Sequence, residues 1–399
     1  MDIYIWKGKN IKGEELKGEI EAESKEEVER KLRAQRIIPV KIKKKPKEIS
    51  IPLFEKKIKA EEIVVFTRQL STMIDAGLSI IQGLEILAEQ SDNKKFKEVI
   101  LGVKTKLESG QTLSKAMGSY PKVFDDLYVN MINAGEISGS LDIILQRLAT
   151  LMEKTVSLKR KIKGAMFYPI SVIIVATIVT AILLIKVVPT FAQMFSSMGK
   201  ALPLPTQIVI NISNFLRHNI GYIILGIFAV IVLVRLVYKT DKGRHFFDSL
   251  LLRLPIFGNL IRKAAVAKFT RTLGTMLSSG VSILEAFDIV AKTSGNVIIE
   301  DAVYYTRDRV KEGKNLVEPL SEVKVFPPMV VQMIGVGERT GAVDAMLNKI
   351  ADFYEEEVDQ MVANLTSLIE PLIMVFLGVV LGGLIIAMYL PIFKIGEVI

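Results

Sequence analysis

Three stretches of the chain are apolar over enough residues to cross a membrane. They are Met166–Ile185, Ile220–Val234 with a short extension, and Leu372–Leu390, and none of them contains a charge. About 20 apolar residues span the hydrocarbon of a bilayer as a helix. Arg235 interrupts the extension to Tyr238, where its long side chain can reach the interface. The pattern therefore predicts three transmembrane helices, at 166–188, 220–238 and 369–390.

Between the apolar stretches, the hydrophobic positions follow the period of a helix. In the segment that begins at Phe66, apolar residues recur at i, i+4, i+7 and i+8, which places them on one helix face. Gly77 is suited to end that helix, and Ser79 is suited to cap the next one. Each segment of this kind, at 61–165 and at 239–368, is predicted to be an antiparallel bundle of five or six helices.

The first 45 residues show a different pattern. The segments DIYIWKG and LKGEIEAES alternate in polarity as strands do, and IIPVKIKK is predicted to form a third strand. Ser24 and Glu27 form a capping box that begins a short helix between the second and third strands. We predict a small ββαβ domain at 1–45, followed by a linker at 46–60.

The two predicted bundles are copies of one unit. Phe66–Ile80 and Phe269–Ile283 are identical at nine of fifteen positions, at an offset of 203 residues. At an offset of 202 the match continues through the following apolar stretch, with the pairs Glu136 and Glu338, Gly139 and Gly341, Pro169 and Pro371, and Pro189 and Pro391. A bundle and its membrane helix have therefore been duplicated together.

The predicted fold class is thus mostly α: a polytopic membrane protein with two repeated cytoplasmic antiparallel helical bundles, three transmembrane helices and a small N-terminal ββαβ domain. Six Lys and Arg residues lie in 146–165, but only two lie in 189–219. The positive-inside rule places the denser segment in the cytoplasm. We expect a cytoplasmic N-terminus, an external loop at 189–219, and an external C-terminal tail at 391–399.

Composition excludes several classes of site. The chain has no cysteine and two histidines, His218 and His245, so neither a thiolate site nor a histidine-based metal site is expected. There is no Walker A motif and no G-x-S-x-G motif. The net charge of +9 lies largely beside the apolar stretches, as membrane orientation requires, and does not indicate nucleic-acid binding. We predict no catalytic, cofactor or metal site.

The repeated Glu-x-x-Gly motif has two interpretations. Glu136 and Glu338 could act as catalytic acids, or they could belong to interhelical turns that Gly139 and Gly341 make tight. A general acid is expected to have a second titratable partner in the same motif, and none is repeated. The structural interpretation is favoured, in which each glutamate accepts hydrogen bonds from free helix N–H groups or pairs with a base on a neighbouring helix.

Prolines and glycines mark further candidate positions in the membrane helices. Pro169 and Pro371 stand where a bundle helix enters the membrane, and each should kink its helix or mark its break. Pro189 and Pro391 follow the other end of the same spans. Gly378, Gly382 and Gly383 form a flat helix face suited to close packing, either within the chain or against a pilin or a second copy.

The segment KIKGAMFYPISVIIVATIVTAILLIKVVP (161–189) and the turn AGE-x-x-G-x-L (134–141) resemble those of a known family, the inner-membrane platform proteins of type II secretion systems and type IV pilus machines. The resemblance covers nearly the whole chain. The second copy departs from it, with Val336, Val343, and Glu370 in place of a tyrosine, departures that are ordinary for the second half.

This resemblance implies a non-enzymatic scaffold in the inner membrane. It implies contact with a cytoplasmic hexameric assembly ATPase, with pilins or pseudopilins, and with bitopic assembly proteins, and it implies a homo-oligomer without cofactors. The alternative is a polytopic transporter or channel component. A transporter requires polar groups in its spans, and only Lys186 and Arg235 approach them, both near helix ends.

Overall fold

The structure is a computed structural model, and it describes residues 2–9, 15–22, 25–34, 37–44, 57–196, 202–255 and 257–396. The chain divides into two compact units, Met1–Lys57 and Ile58–Ile399. Most of the described residues are helical, and three helices are long and apolar enough to cross a membrane. The predicted mostly α membrane fold is confirmed. Residues 45–56, which include most of the predicted linker, lie outside the described part.

The N-terminal unit is a three-stranded sheet with one helix. Its elements are β1 (Asp2–Lys9), β2 (Glu15–Ala22), α1 (Lys25–Ala34) and β3 (Ile38–Lys44). The strand order is β2-β1-β3, and both pairs are antiparallel. The core comprises Tyr4 and Ala22 from the sheet with Val28 and Leu32 from α1. The two α1 residues are four apart, so they lie on one helix face.

The first bundle of the larger unit comprises five helices and the start of a sixth. They are α2 (Ala60–Asp75), α3 (Ile80–Gln90), α4 (Lys94–Glu108), α5 (Leu113–Gly118), α6 (Asp126–Ser138) and α7 (Leu141–Ile182). Phe66, Phe96, Phe124 and Tyr128 stack in its core. Gly77 ends the first helix with a φ of 84°, and Ser79 caps α3 by accepting from the Gln82 N–H.

The second bundle repeats this order after one additional helix. It comprises α10 (Asp241–Arg253), α11 (Phe257–Ser278), α12 (Ile283–Thr293), α13 (Val297–Lys311), α14 (Val317–Glu322), α15 (Pro328–Thr340) and the start of α16 (Val343–Gly396). Phe269 packs against Phe326, and these two occupy the positions of Phe66 and Phe124 in the first copy. Phe287 also packs against Phe269.

Two long helices run from the bundles through the apolar stretches. Helix α7 has 42 residues and α16 has 54, or about 63 Å and 81 Å at 1.5 Å per residue. Pro169 and Pro371 lie inside these helices, and neither ends its helix. The expectation of a helix break at either proline is therefore wrong, and only the alternative of a kink stays a prediction. The hydrogen-bond pattern changes instead at Leu183–Val187, a π-helical turn that leads into α8 (Val188–Ser196).

The segment predicted as an external loop is largely helical. Pro189 lies within α8, and α9 (Leu204–Tyr238) begins sixteen residues before the predicted span at 220. Pro203 and Pro205 at the start of α9 suit a first helical turn, which needs no N–H donors there. Helix α16 likewise continues through Pro391 to Gly396, so this part of the predicted tail is also helical. Both α9 and α16 therefore extend beyond the apolar stretches that predicted their ends.

The three membrane helices meet at the end remote from the bundles. Leu184 and Val188 pack against Leu384 and Met388 of α16, with residues of α9 alongside. Two buried hydroxyls of α9 donate to backbone carbonyls of its neighbours: Ser213 to the Leu184 carbonyl and Thr206 to the Ala387 carbonyl. A π-helical turn leaves carbonyls without their usual partner, and Ser213 satisfies one in this turn. We call this contact the distal clamp.

The glycine face of α16 contacts no other part of the described chain. A Cβ atom built at Gly378, Gly382 or Gly383 would meet no atom within 4 Å. Of the two alternatives for this face, close packing within the chain is therefore absent from the described residues. Packing against a pilin or a second copy stays a prediction.

Candidate coupling site

Each bundle is joined to its long helix by a turn that depends on two glycines. Gly139 ends α6 in the left-handed conformation, with a φ of 68°, and its N–H donates to the Gly135 carbonyl. A Cβ atom at Gly135 would lie 3.0 Å from the Ile144 Cβ and 3.2 Å from the Leu141 Cα. The first glycine reverses the chain and the second lets α6 touch α7. Sequence analysis identified Gly139 but not the role of Gly135.

The second turn repeats this geometry. Gly341 ends α15 with a φ of 72°, and its N–H donates to the Gly337 carbonyl. A Cβ atom at Gly337 would lie 2.9 Å from the Val343 Cα. The long helices α7 and α16 therefore leave the two bundles in the same local way.

Glu136 lies in the last turn of α6, and its side chain caps the short helix α5. One carboxylate oxygen accepts from the Leu113 N–H, and the other accepts from the Ser114 N–H at 3.0 Å and from the Ser114 hydroxyl at 2.6 Å. Thr112 accepts from the next free N–H, that of Lys115. An anion at a helix N-terminus satisfies unpaired donors and opposes the positive end of the helix dipole. Both oxygens of Glu136 are thus engaged by α5.

Glu338 has the equivalent place with fewer contacts. Its carboxylate accepts from the Leu316 N–H at 2.8 Å, and Asn315 accepts from the Glu318 N–H. The position of Ser114 is taken by Val317, which has no hydroxyl to donate. Each glutamate therefore ties the short helix of its copy, α5 or α14, to the corner where the long helix begins, more strongly in the first copy than in the second.

A second repeated contact ties the first helix of each bundle to the long helix. Arg68 of α2 forms two hydrogen bonds to Glu153 of α7, both of 2.7 Å. Arg271 of α11 binds Glu355 of α16 in the same two-pronged way, at 2.8 and 3.0 Å. Such bidentate pairs fix geometry as well as charge. The sequence did not predict these pairs, although the arginines match at an offset of 203 and the glutamates at 202.

Ion pairs also join the two long helices to each other. Lys154 of α7 lies 2.8 Å from Glu355 and 3.4 Å from Asp352 of α16. Lys161 lies two turns after Lys154 on α7, and it pairs with Asp359, which lies one turn after Glu355 on α16. Glu355 therefore receives one cation from its own copy and one from the other copy, so the two bundles share a single charged cluster.

An apolar joint follows this cluster where the helices approach the membrane. Leu260 of α11 and Val358 and Leu365 of α16 are buried there, with Leu158 and Ile162 of α7 against them. Among the described residues, no three His, Asp or Glu side chains are grouped so that they could hold a metal ion. The repeated turns, the bidentate pairs and this joint together form the candidate coupling site.

Replacing the capping glutamates should destabilise the two copies unequally. We expect Glu136→Ala to lower stability by about 2 kcal/mol, because two backbone donors and one hydroxyl lose a charged acceptor. Glu338→Ala should cost about half as much, since one donor is involved. The measurement is the thermal unfolding midpoint of the full chain in detergent, with the surface residue Glu108→Ala as the control. Equal effects of Glu136→Ala and Glu108→Ala would contradict the capping role.

The Arg68–Glu153 pair should make stability depend on pH. The hydrogen bonds from Arg68 lower the pKa of Glu153, despite an opposing effect of burial. A carboxyl with a lowered folded-state pKa stabilises the fold above its unfolded pKa of about 4.3, and this contribution is lost as the pH falls through the folded value.

Glu153→Gln should therefore lower the unfolding midpoint at pH 7, and the difference from the unaltered chain should shrink at pH 3. The effect at pH 7 should be below about 1 kcal/mol, because the side chains are 36% and 41% exposed. Glu108→Gln is the control. A difference that is the same at both pH values would show that charge does not carry the contact.

Comparison with known families accounts for both copies and for the N-terminal unit. The family model described as type II secretion system (T2SS), protein F, matches residues 66–189 and 269–391. The model of the N-terminal domain of type II secretion system protein F matches residues 1–43. The two matches to one model are the duplicated unit that the sequence predicted.

Curated relatives match over nearly their full lengths. A type IV pilus assembly protein PilC of Myxococcus xanthus is 51% identical over 99% of this chain and 95% of its own length. A PilC of Thermus thermophilus is 44% identical over 99% and 98%. A type II secretion system protein F of Vibrio cholerae is 30% identical over 100% and 99%. With both copies and the N-terminal domain matched, the chain belongs to the type II secretion system protein F family.

Proposed function

We propose that this chain is a non-enzymatic platform protein of the inner membrane, which couples a cytoplasmic assembly ATPase to the addition of pilin or pseudopilin subunits. The relatives are named as pilus assembly and secretion proteins, and this supports a role for the chain in a machine of that kind. The partners are a hexameric ATPase, pilins or pseudopilins, bitopic assembly proteins and further copies of the chain. They follow from the family resemblance.

One structural observation supports coupling in particular. Each long helix begins at a cytoplasmic turn and continues without interruption into the apolar stretch. The bidentate Arg–Glu pairs bind the bundles to the first part of these helices. The glutamate caps hold the corners from which these helices begin. A displacement of either bundle by a cytoplasmic motor would therefore move a helix that enters the membrane.

The charged cluster couples the displacement of one bundle to that of the other. Because Lys154 of the first copy binds Glu355 of the second, the bundles move with both long helices together. We infer that force applied to either copy is delivered to the same pair of membrane helices, which then lift a pilin out of the bilayer.

A hinge placed in α7 should uncouple the bundle from the membrane. Ser157 and Arg160 are exposed, and neither lines the joint described above. Glycine costs about 1 kcal/mol relative to alanine at a helix interior. We expect the variant Ser157→Gly with Arg160→Gly to assemble far fewer pili, or to secrete far less, than the variant Ser157→Ala with Arg160→Ala.

The measurement is surface pili or secreted substrate in cells where this chain is the only member of its family. Membrane levels of both variants are compared by immunoblot. The alanine pair loses the same side chains while keeping the helix stiff, so it separates stiffness from surface contacts. Equal assembly by the glycine and alanine pairs would argue against a rigid helix as the coupling element.

We further propose that the N-terminus lies in the cytoplasm and the C-terminus outside the inner membrane. The excess of Lys and Arg in 146–165 over 189–219, together with three spans, supports this orientation. The chain has no cysteine, so a single cysteine added after Ile399 can be labelled selectively. It should react with a membrane-impermeant maleimide in intact spheroplasts. Labelling only after the membrane is opened would reverse the orientation.

A further inference from the structure

A cavity of about 820 Å³ lies between α7 of the first copy and α11 of the second. Its walls are mostly apolar, and they include Leu158, Ile162, Met166, Ile170, Leu260 and Ala264. It lies directly beside the apolar joint, because Leu158, Ile162 and Leu260 line both. Nothing in the coupling role described above uses this space.

The cavity lies at the depth where a lipid headgroup meets its acyl chains. Met166 begins the uncharged stretch, so Lys163 and Lys159 lie about 4.5 and 10 Å before it along the helix. The polar layer on each side of a bilayer is roughly 5–8 Å thick. Lys163 is therefore at the level of the headgroups, and Lys159 lies just outside that layer, with a side chain long enough to reach it. Met166 and Ile170 border the hydrocarbon.

Three cations border the cavity, and none of them forms an ion pair with a described residue. In the described part of the chain, Lys159 and Lys163 form no ion pair. Lys268 of α11 is half-buried and donates to the Thr293 carbonyl. Burial lowers the pKa of Lys268, Asp125 partly opposes that effect, and the charge of Lys159 lowers it further. Lys154 and Arg271 at the same rim already bind Glu355.

A lipid with an anionic headgroup matches both parts of this cavity. The apolar walls extend from Leu158 to Ile170, about 18 Å along α7, and suit an acyl chain. The cations at the rim suit the headgroup, whereas an apolar protein helix would leave them without a partner. The apolar walls also offer nothing to a free phosphate beyond the lysines at the rim.

We propose that this cavity binds one anionic phospholipid from the cytoplasmic leaflet. The phosphate lies among Lys159, Lys163 and Lys268, and an acyl chain follows Ile162, Met166 and Ile170 toward the bilayer. Basic pockets between membrane helices on the cytoplasmic side are suited to such headgroups. The binding requires that α7 enters the bilayer near Met166, and the assignment to the cytoplasmic leaflet rests on the orientation proposed above. It goes beyond the platform function and does not depend on it.

The test uses the full chain in phosphatidylcholine vesicles that contain a trace of phosphatidylglycerol carrying a diazirine on its acyl chain. After illumination, the labelled peptides are identified by mass spectrometry. We expect labelling at 158–170 and 260–271, several-fold above that given by phosphatidylcholine with the same diazirine chain. Equal labelling by the two lipids, or labelling only elsewhere on the spans, would overturn the proposal.

Matched variants separate this cavity from general attraction to an anionic surface. Lys159→Gln with Lys163→Gln should lower the phosphatidylglycerol labelling several-fold, to the level given by phosphatidylcholine. Lys239→Gln with Lys242→Gln removes two exposed cations near the end of α9, outside the cavity, and should leave it unchanged. An equal loss in both variants would contradict a defined site.

Two further experiments test whether the cavity instead binds a free anion or a protein. Millimolar inorganic phosphate should not displace the labelled lipid, and full displacement would show that the lysines bind a free anion. A photo-crosslinker placed at Ile162 in cells should give lipid adducts, and capture of a protein there would show that a partner helix fills the cavity. Because none of these measurements involves pilus assembly, a failure here leaves the platform proposal untouched, and the converse also holds.

Discussion

The continuity of the two long helices is the constraint on which the rest of the structure depends. A helix satisfies its own backbone hydrogen bonds, so it can pass from water into hydrocarbon without a break in those bonds. Both α7 and α16 use this property to join a helical bundle to a membrane span. The bundles then need few contacts of their own with the membrane, because each is fastened to a helix that is already there.

The two copies are similar in plan and different in how firmly they are fastened. The first copy holds its short helix with three donors to Glu136, whereas the second has one to Glu338. The second copy has instead the longer helix α11, of 22 residues, which packs along α16. Glu355 is shared between the copies, so the weaker cap belongs to the copy whose long helix is supported from two sides.

Much of this arrangement could be predicted from the sequence. The duplication, the three spans and the left-handed glycines follow from local patterns, and the motif search found Glu136 and Glu338. It could not show that these side chains reach α5 and α14, since the partners are 22 or 23 residues away and are backbone groups that any sequence carries. The bidentate arginines lie in the repeated segment, but nothing in the sequence around an arginine on a helix surface indicates which residue it binds.

The helix ends were the least predictable feature. Pro169 and Pro371 suggest breaks by their chemistry, yet membrane helices tolerate proline because neighbouring groups satisfy the freed carbonyls. Residues 204–219 are polar enough to suggest a loop, and two of their hydroxyls, Thr206 and Ser213, are instead buried against neighbouring helices. The polarity of this segment predicted exposure to water, whereas these two hydroxyls make hydrogen bonds between helices.

The distal clamp provides a fixed point about which the membrane helices can tilt. Leu184 lies about 27 Å from Met166 along α7, at 1.5 Å per residue. With the three spans held together at the far end by the clamp, a tilt of about 10° would move the end next to the bundles by about 5 Å and the clamped end hardly at all. A small rotation of the bundles would then produce a displacement close to one helical turn, concentrated at the bilayer surface on the side of the bundles.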